Sequence, residues 1–139
     1  MNGEVHTLAK AISGGRIGVN LVKTAAIYMV GGLALGILMG ISQDFTLSSV
    51  HSHVLLLGWV TTALTGLVYI VLPACGEGWL ARVHYWGSNL GLPLMMTGLL
   101  LLSYGKAIGE KIVGPASIVL LLALSAFMVN VFVNGQRQK

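Results

Sequence analysis

Four long apolar runs restrict this chain more than any other feature. They cover Thr24 to Ile41, Val50 to Cys75, Val83 to Tyr104 and Ile112 to Val133. A bilayer core about 30 Å thick takes roughly 20 mostly apolar residues per helix, and each run approaches or exceeds that length. Of the 139 residues, 55% are hydrophobic and only 9% charged. Soluble domains carry more charge, so the composition belongs to the membrane class. The runs are separated by Gln43-Asp44, by Gly76 to Arg82 and by Gly105 to Lys111. Connections this short make successive helices antiparallel neighbours. The expected fold is therefore all-α: an integral membrane four-helix bundle, one domain over 1–139, with no room for a second.

The formal net charge of +4 does not form a nucleic-acid surface, because the basic residues flank the helices. Lys10, Arg16, Lys23, Arg82, Arg137 and Lys139 fall on one side, and only Lys106 and Lys111 on the other. The positive-inside rule then places both termini in the cytoplasm. A cleaved signal peptide is the competing reading of the first run. The long basic flank, the length of the run and the poor cleavage site at Gly40-Ile41-Ser42 speak against it. Cys75 is the only cysteine, which excludes an intramolecular disulfide and a C-x-x-C-H haem attachment.

Residues 1–22 are mixed, and Gly14-Gly15 interrupts them. Leu8, Ile12, Ile17 and Leu21 suggest a short interfacial helix there. Gly32, Gly36 and Gly40 recur every four residues in the first run, and Gly87 and Gly91 stand in the same relation in the third. Such stripes let backbones approach closely, and packing within the bundle is the preferred use. Ser48 or Ser49 can cap the second helix, and Pro73 ends it. Pro93 should kink the third helix and free a carbonyl that Asn89 could satisfy.

The histidines are the most informative residues. His6 lies in the N-terminal segment, His51 and His53 open the second run, and His84 opens the third. Two residues of α-helix turn the direction by about 200°, so His51 and His53 point to nearly opposite sides. They cannot chelate one ion together, but each can ligate a different centre, and imidazole suits haem iron, copper and zinc. On the His51 side run Gly58, Thr62, Thr65 and Gly66, small residues that would leave a flat slot for a porphyrin. Leu57, Leu64 and Val68 line the His53 side. The ordinary alternative is a pair of interfacial histidines bonded to serines and water. His84 sits at the opposite membrane face, where His84-Tyr85-Trp86 reads as an interfacial aromatic anchor; a second haem centre there is secondary.

The segment from His51 through Trp59, with Gly66-Leu67-Val68-Tyr69 and Pro73, resembles the tenth helix of the catalytic subunit of heme-copper oxidases and nitric oxide reductases. His84-Tyr85-Trp86, followed by Asn89 and Gly91, is similar to the start of that subunit's next helix. The chain looks like a small stand-alone four-helix relative of it, with the resemblance covering about Val50 to Tyr104. It implies haem ligation by His51 and His53, while His84 matches a position that is not a haem ligand there. The large subunit draws its copper histidines and a further haem histidine from helices that have no counterpart here, so one copy cannot build a haem–copper centre. The implied architecture is a homo-oligomer, a trimer or a dimer, with haem b between protomers. Its propionates would face outward toward Lys106, Lys111 and the N–H groups opening the second helix.

The expected function is thus a b-type cytochrome for electron transfer or for redox or gas sensing, in a bacterial inner membrane, with a quinone or respiratory-chain partner. Two other readings stand beside it. One is a haem-free accessory or copper-handling protein of a respiratory oxidase. The other is an oxidoreductase subunit acting on quinol, dioxygen or nitric oxide only when assembled. No acid–base pair or nucleophile marks the isolated chain as an enzyme.

Overall fold

The computed structural model describes the backbone of residues 2–136 and the side chains of 15–136. The expectations for the side chains of His6, Leu8, Lys10, Ile12, Arg137 and Lys139 lie outside the described residues. Four long helices follow one another: α1 (Asn2–Ser42), α2 (Ser48–Val71), α3 (Gly78–Ser103) and α4 (Ile108–Asn134). A short 3₁₀ turn, Pro73–Gly76, lies between α2 and α3. The helices outrun the apolar stretches at most ends, because hydropathy marks what lipid accepts and not where helical hydrogen bonding stops.

Two boundaries correct the sequence reading. Gly14-Gly15 does not break the N-terminal segment, since α1 runs through it without interruption. A glycine inside a helix is disfavoured by only about 1 kcal/mol, and without a left-handed backbone it need not end one. Neither Ser48 nor Ser49 caps α2. Its N-cap is Leu47 with no side-chain bond, and the Ser48 N–H instead meets the Phe45 carbonyl at 3.0 Å.

Three stretches, Gly15–Ser42, Ser48–Val71 and Ile108–Asn134, are long and apolar enough to cross a membrane. Large apolar side chains stand outward along them, Ile27 at 74% exposure and Phe132 at 80% among them, as a lipid-facing surface requires. α3 has 26 residues, length enough for the roughly 30 Å hydrocarbon layer. Ser88, Asn89 and Pro93 interrupt its apolar run, and it is not among those three stretches.

The helices pack as two pairs. α1 packs along α2, and α3 along α4. In each pair two glycines bring the backbones into contact. A Cβ on Gly66 would lie 2.9 Å from the Gly18 carbonyl oxygen, and one on Gly109 would lie 2.6 Å from that of Gly98. Small residues allow this approach, and van der Waals contact then replaces the hydrophobic drive that lipid removes. The stripe on α1 makes room for side chains instead: Gly32 faces Leu55 and Val54, and Gly36 the His51 ring, whereas Gly40 meets nothing. On α3, Gly87 faces Ala123, and Gly91 faces Val119 and Leu120. The two pairs meet through Leu92, Met95, Met96, Ala116 and Leu120, against which Tyr28, Val54 and Leu57 pack.

α2 is not α-helical throughout. Val54–Thr61 forms a π-helix directly after His53. The Thr61 and Thr62 hydroxyls follow its wider spacing, donating to the carbonyls five residues back, Leu56 and Leu57, both at 2.9 Å. Within this stretch Gly58 admits the Tyr28 ring, which a Cβ there would meet at 2.7 Å.

At the end of α3, Gly105 takes the left-handed conformation, φ 69°. Its N–H donates to Leu102 at 2.8 Å, and the Lys106 N–H to Leu101 at 2.9 Å. This is the Schellman pattern that glycine permits without a Cβ penalty. Inside α3, the Asn89 side chain donates to the Tyr85 carbonyl at 2.7 Å. It therefore serves the turn before it, and not the carbonyl that Pro93 leaves free.

Candidate functional site

His51 and His53 lie in the opening α-helical turns of α2, Ser48–His53, and both are half-buried. Each ring is fixed through the same nitrogen. His51 Nδ1 is 2.9 Å from the Gly32 carbonyl of α1, and His53 Nδ1 is 2.8 Å from the Ser49 carbonyl one turn back. A carbonyl oxygen only accepts, so Nδ1 carries the proton in both rings. In a neutral imidazole the lone pair is then on Nε2. This is the tautomer of a histidine that ligates a metal through Nε2 while a backbone carbonyl orients it.

The surroundings of the two rings differ. His51 lies against α1, where a Cβ on Gly36 would sit 2.7 Å from its Cε1. The hydrogen bond of His53 is to its own helix. Along its side, Leu64 is 57% exposed, whereas Leu57 is half-buried against the core.

The small residues below His51 do not leave an open slot. Gly58 is covered by Tyr28, Gly66 by Gly18 and Leu21, and Thr62 and Thr65 are buried. The sequence showed correctly that this face lacks bulk. It could not show that the chain's own first helix would take the space. Lys106 and Lys111 are exposed, in the α3–α4 connection and the first turn of α4.

His84 is corrected as well. It is 1% exposed and cannot serve as an interfacial anchor. Its Nδ1 is 3.1 Å from the Tyr69 hydroxyl, and its ring centroid is 5.0 Å from that of Phe127. Tyr69 and Phe127 stand edge to face at 5.5 Å. The outward aromatic of the His84-Tyr85-Trp86 triplet is Trp86, 60% exposed. Two residues, roughly half a turn of helix, separate anchor from core here, and hydropathy does not tell which residue turns inward.

Beside this cluster lies a polar tie that sequence reasoning missed. Asn130 is wholly buried and donates to the Cys75 carbonyl at 2.6 Å, while the Asn134 amide donates to Asn130 Oδ1 at 2.7 Å. An asparagine inside an otherwise apolar run was the available signal, since a polar group at membrane depth needs a protein partner. Cys75 is buried in the same place.

As donors, His51 and His53 are of the kind a haem iron takes, one lone-pair nitrogen on each face. As a pocket, a single chain does not suffice, because α1 occupies the space beside His51. Among the described residues, no three or more His, Cys, Asp or Glu side chains gather as a metal site. Comparison with known proteins adds no relative: no family model, no curated protein and no solved structure matches this chain.

Proposed function

We propose that this chain is a membrane b-type cytochrome that holds haem b non-covalently between copies of itself, with His51 and His53 as the axial ligands. The observation that carries this reading is the shared hydrogen bonding of the two rings. Both are oriented by a carbonyl at Nδ1, which leaves Nε2 as the nitrogen each would ligate through, and helical rotation sets the two residues on opposite sides of one helix. Ligands that diverge serve two separate haems, so each haem needs a second protomer. In a ring of three, His51 of one copy and His53 of the next supply the pair, and a two-fold dimer sharing two haems meets the same requirement. The exposed apolar side chains on the His53 side offer a wall for a macrocycle, and Lys106 and Lys111 offer cations for its carboxylates. Bound haem would supply one-electron chemistry, and iron with both axial positions filled favours electron transfer over gas binding.

The same reading makes α3 the fourth span of an antiparallel bundle, with both termini on the cytoplasmic side of a bacterial inner membrane. The facing pairs Gly36–His51 and Gly66–Gly18, then Gly87–Ala123 and Gly98–Gly109, support antiparallel hairpins. The excess of lysine and arginine at one end supports the orientation.

The optical spectrum of the detergent-purified protein, taken with its mass, is the test. Sharp reduced bands are expected from the native chain and from His84→Ala, and they should be lost in His51→Ala and His53→Ala. A monomer that keeps bis-histidine haem would defeat the shared site. Colourless protein would favour the second reading, a haem-free accessory of a respiratory oxidase, which the filling of the His51 side by α1 supports. A shift on adding carbon monoxide would point instead to an oxidoreductase subunit.

A further inference from the structure

A cavity of about 10 Å³ lies between the α1–α2 pair and the α3–α4 pair. Its wall includes Thr61, Thr62 and Thr65 of α2, and His84 and Ser88 of α3. We propose that this cavity binds a single water molecule, held by the Ser88 hydroxyl on α3 and by the hydroxyl of Thr62 or Thr65 on α2. The proposal is independent of haem.

Ser88 is 7% exposed, and its Oγ is buried without a hydrogen-bond partner. A hydroxyl at membrane depth otherwise finds a partner, and native interiors leave very few such atoms unsatisfied. The threonines cannot supply a proton to it. Thr62 Oγ1 donates to Leu57 at 2.9 Å and Thr65 Oγ1 to Thr62 at 3.1 Å. Each hydroxyl has one proton and two lone pairs, so both present acceptors only. Water complements this wall, since it can donate to a threonine oxygen while exchanging a second bond with Ser88. A buried water is typically held by about three such bonds.

The size of the cavity selects the occupant. Its volume, about 10 Å³, is close to the least that admits a water. A bare cation is disfavoured by a wall that carries hydroxyls and no carboxylate. Thr62 and Ser88 also border a neighbouring void beside Tyr28 and Asn89, but that void has no room for a water. The water is thus confined to one place. There it joins α2 to α3, beside the buried Tyr69–His84 pair.

An experimental map of the native protein, at a resolution that shows ordered waters, tests this directly. One isolated peak is expected within hydrogen-bonding distance of Ser88 Oγ and of a threonine hydroxyl. An empty cavity, or a Ser88 hydroxyl turned back onto the His84 carbonyl, would overturn it. A double-mutant cycle in detergent gives a second readout. Ser88→Ala combined with Thr62→Val or with Thr65→Val should lower the unfolding midpoint by less than the sum of the single changes for at least one pair, as a shared water requires. Strict additivity for both pairs counts against the bridge.

Discussion

The two ends of the bundle use histidine in opposite ways. At one end, His51 and His53 are half-buried, oriented through Nδ1, and have Nε2 left to offer. At the other, His84 is sealed among Tyr69 and Phe127. The difference comes from what faces each ring. The first pair sits at a helix start, near a connection. His84 lies two turns into α3, where α2 and α4 converge on it. A histidine in a membrane helix is therefore a candidate ligand only where packing spares a nitrogen.

The comparison breaks most directly at His84. His84→Ala should lower stability in detergent by about 3 kcal/mol, through a void and an unpaired Tyr69 hydroxyl, yet leave any haem spectrum in place. Thermal unfolding and absorbance, measured on one sample, separate the two effects. If His53→Ala proved as damaging to the fold as His84→Ala, the contrast between the ends would fail.

Asn130→Leu comes next. It strips the buried Cys75 carbonyl of its donor, and a loss of about 2 kcal/mol is expected from denaturation in mixed micelles. A variant as stable as the native chain would show that the tie to the Pro73–Gly76 turn contributes little.

Glycine substitutions sharpen the picture at smaller scale. Gly109→Ala drives a methyl into the Gly98 backbone and should destabilise by about 2 kcal/mol. Gly36→Ala meets the His51 ring, which can give way, and about 1 kcal/mol is expected together with altered haem bands. Gly40→Ala should be silent in both measurements, because nothing lies near it.

The smallest effect belongs to the α1–α2 connection. Asp44 accepts from the Thr46 hydroxyl at 2.6 Å and from its backbone N–H at 2.9 Å, and these bonds hold its carboxyl below the usual range. With the folded value depressed, any contribution is present above the ordinary carboxylate pKa. It is lost as pH falls through the lowered one. Thr46→Val should move the Asp44 titration back upward by NMR, with no measurable change in unfolding; an unmoved titration would assign the shift to another cause.

Much of this was legible in the sequence. Four helices, short connections and most of the glycine contacts follow from apolar run length and helical periodicity. Both depend on neighbours a few residues apart, which sequence displays. The inner cluster was not legible: His84 read as an anchor, and Asn130 went unnoticed. Tyr69, Phe127 and Cys75 come from three different segments, and no local pattern announces their meeting. The open slot beside His51 failed for the same reason. Small residues declare that something approaches closely, but not whether it is a ligand or another helix.

The sequence by itself determined that this chain is helical, apolar enough for a membrane, and able to present two imidazoles on opposite sides of one helix. Only the tertiary structure decided which surfaces were already taken, placing α1 over Gly58 and Gly66 and closing α2 and α4 around His84. Periodicity is a property of one helix, whereas occupancy is a property of the helices packed against it.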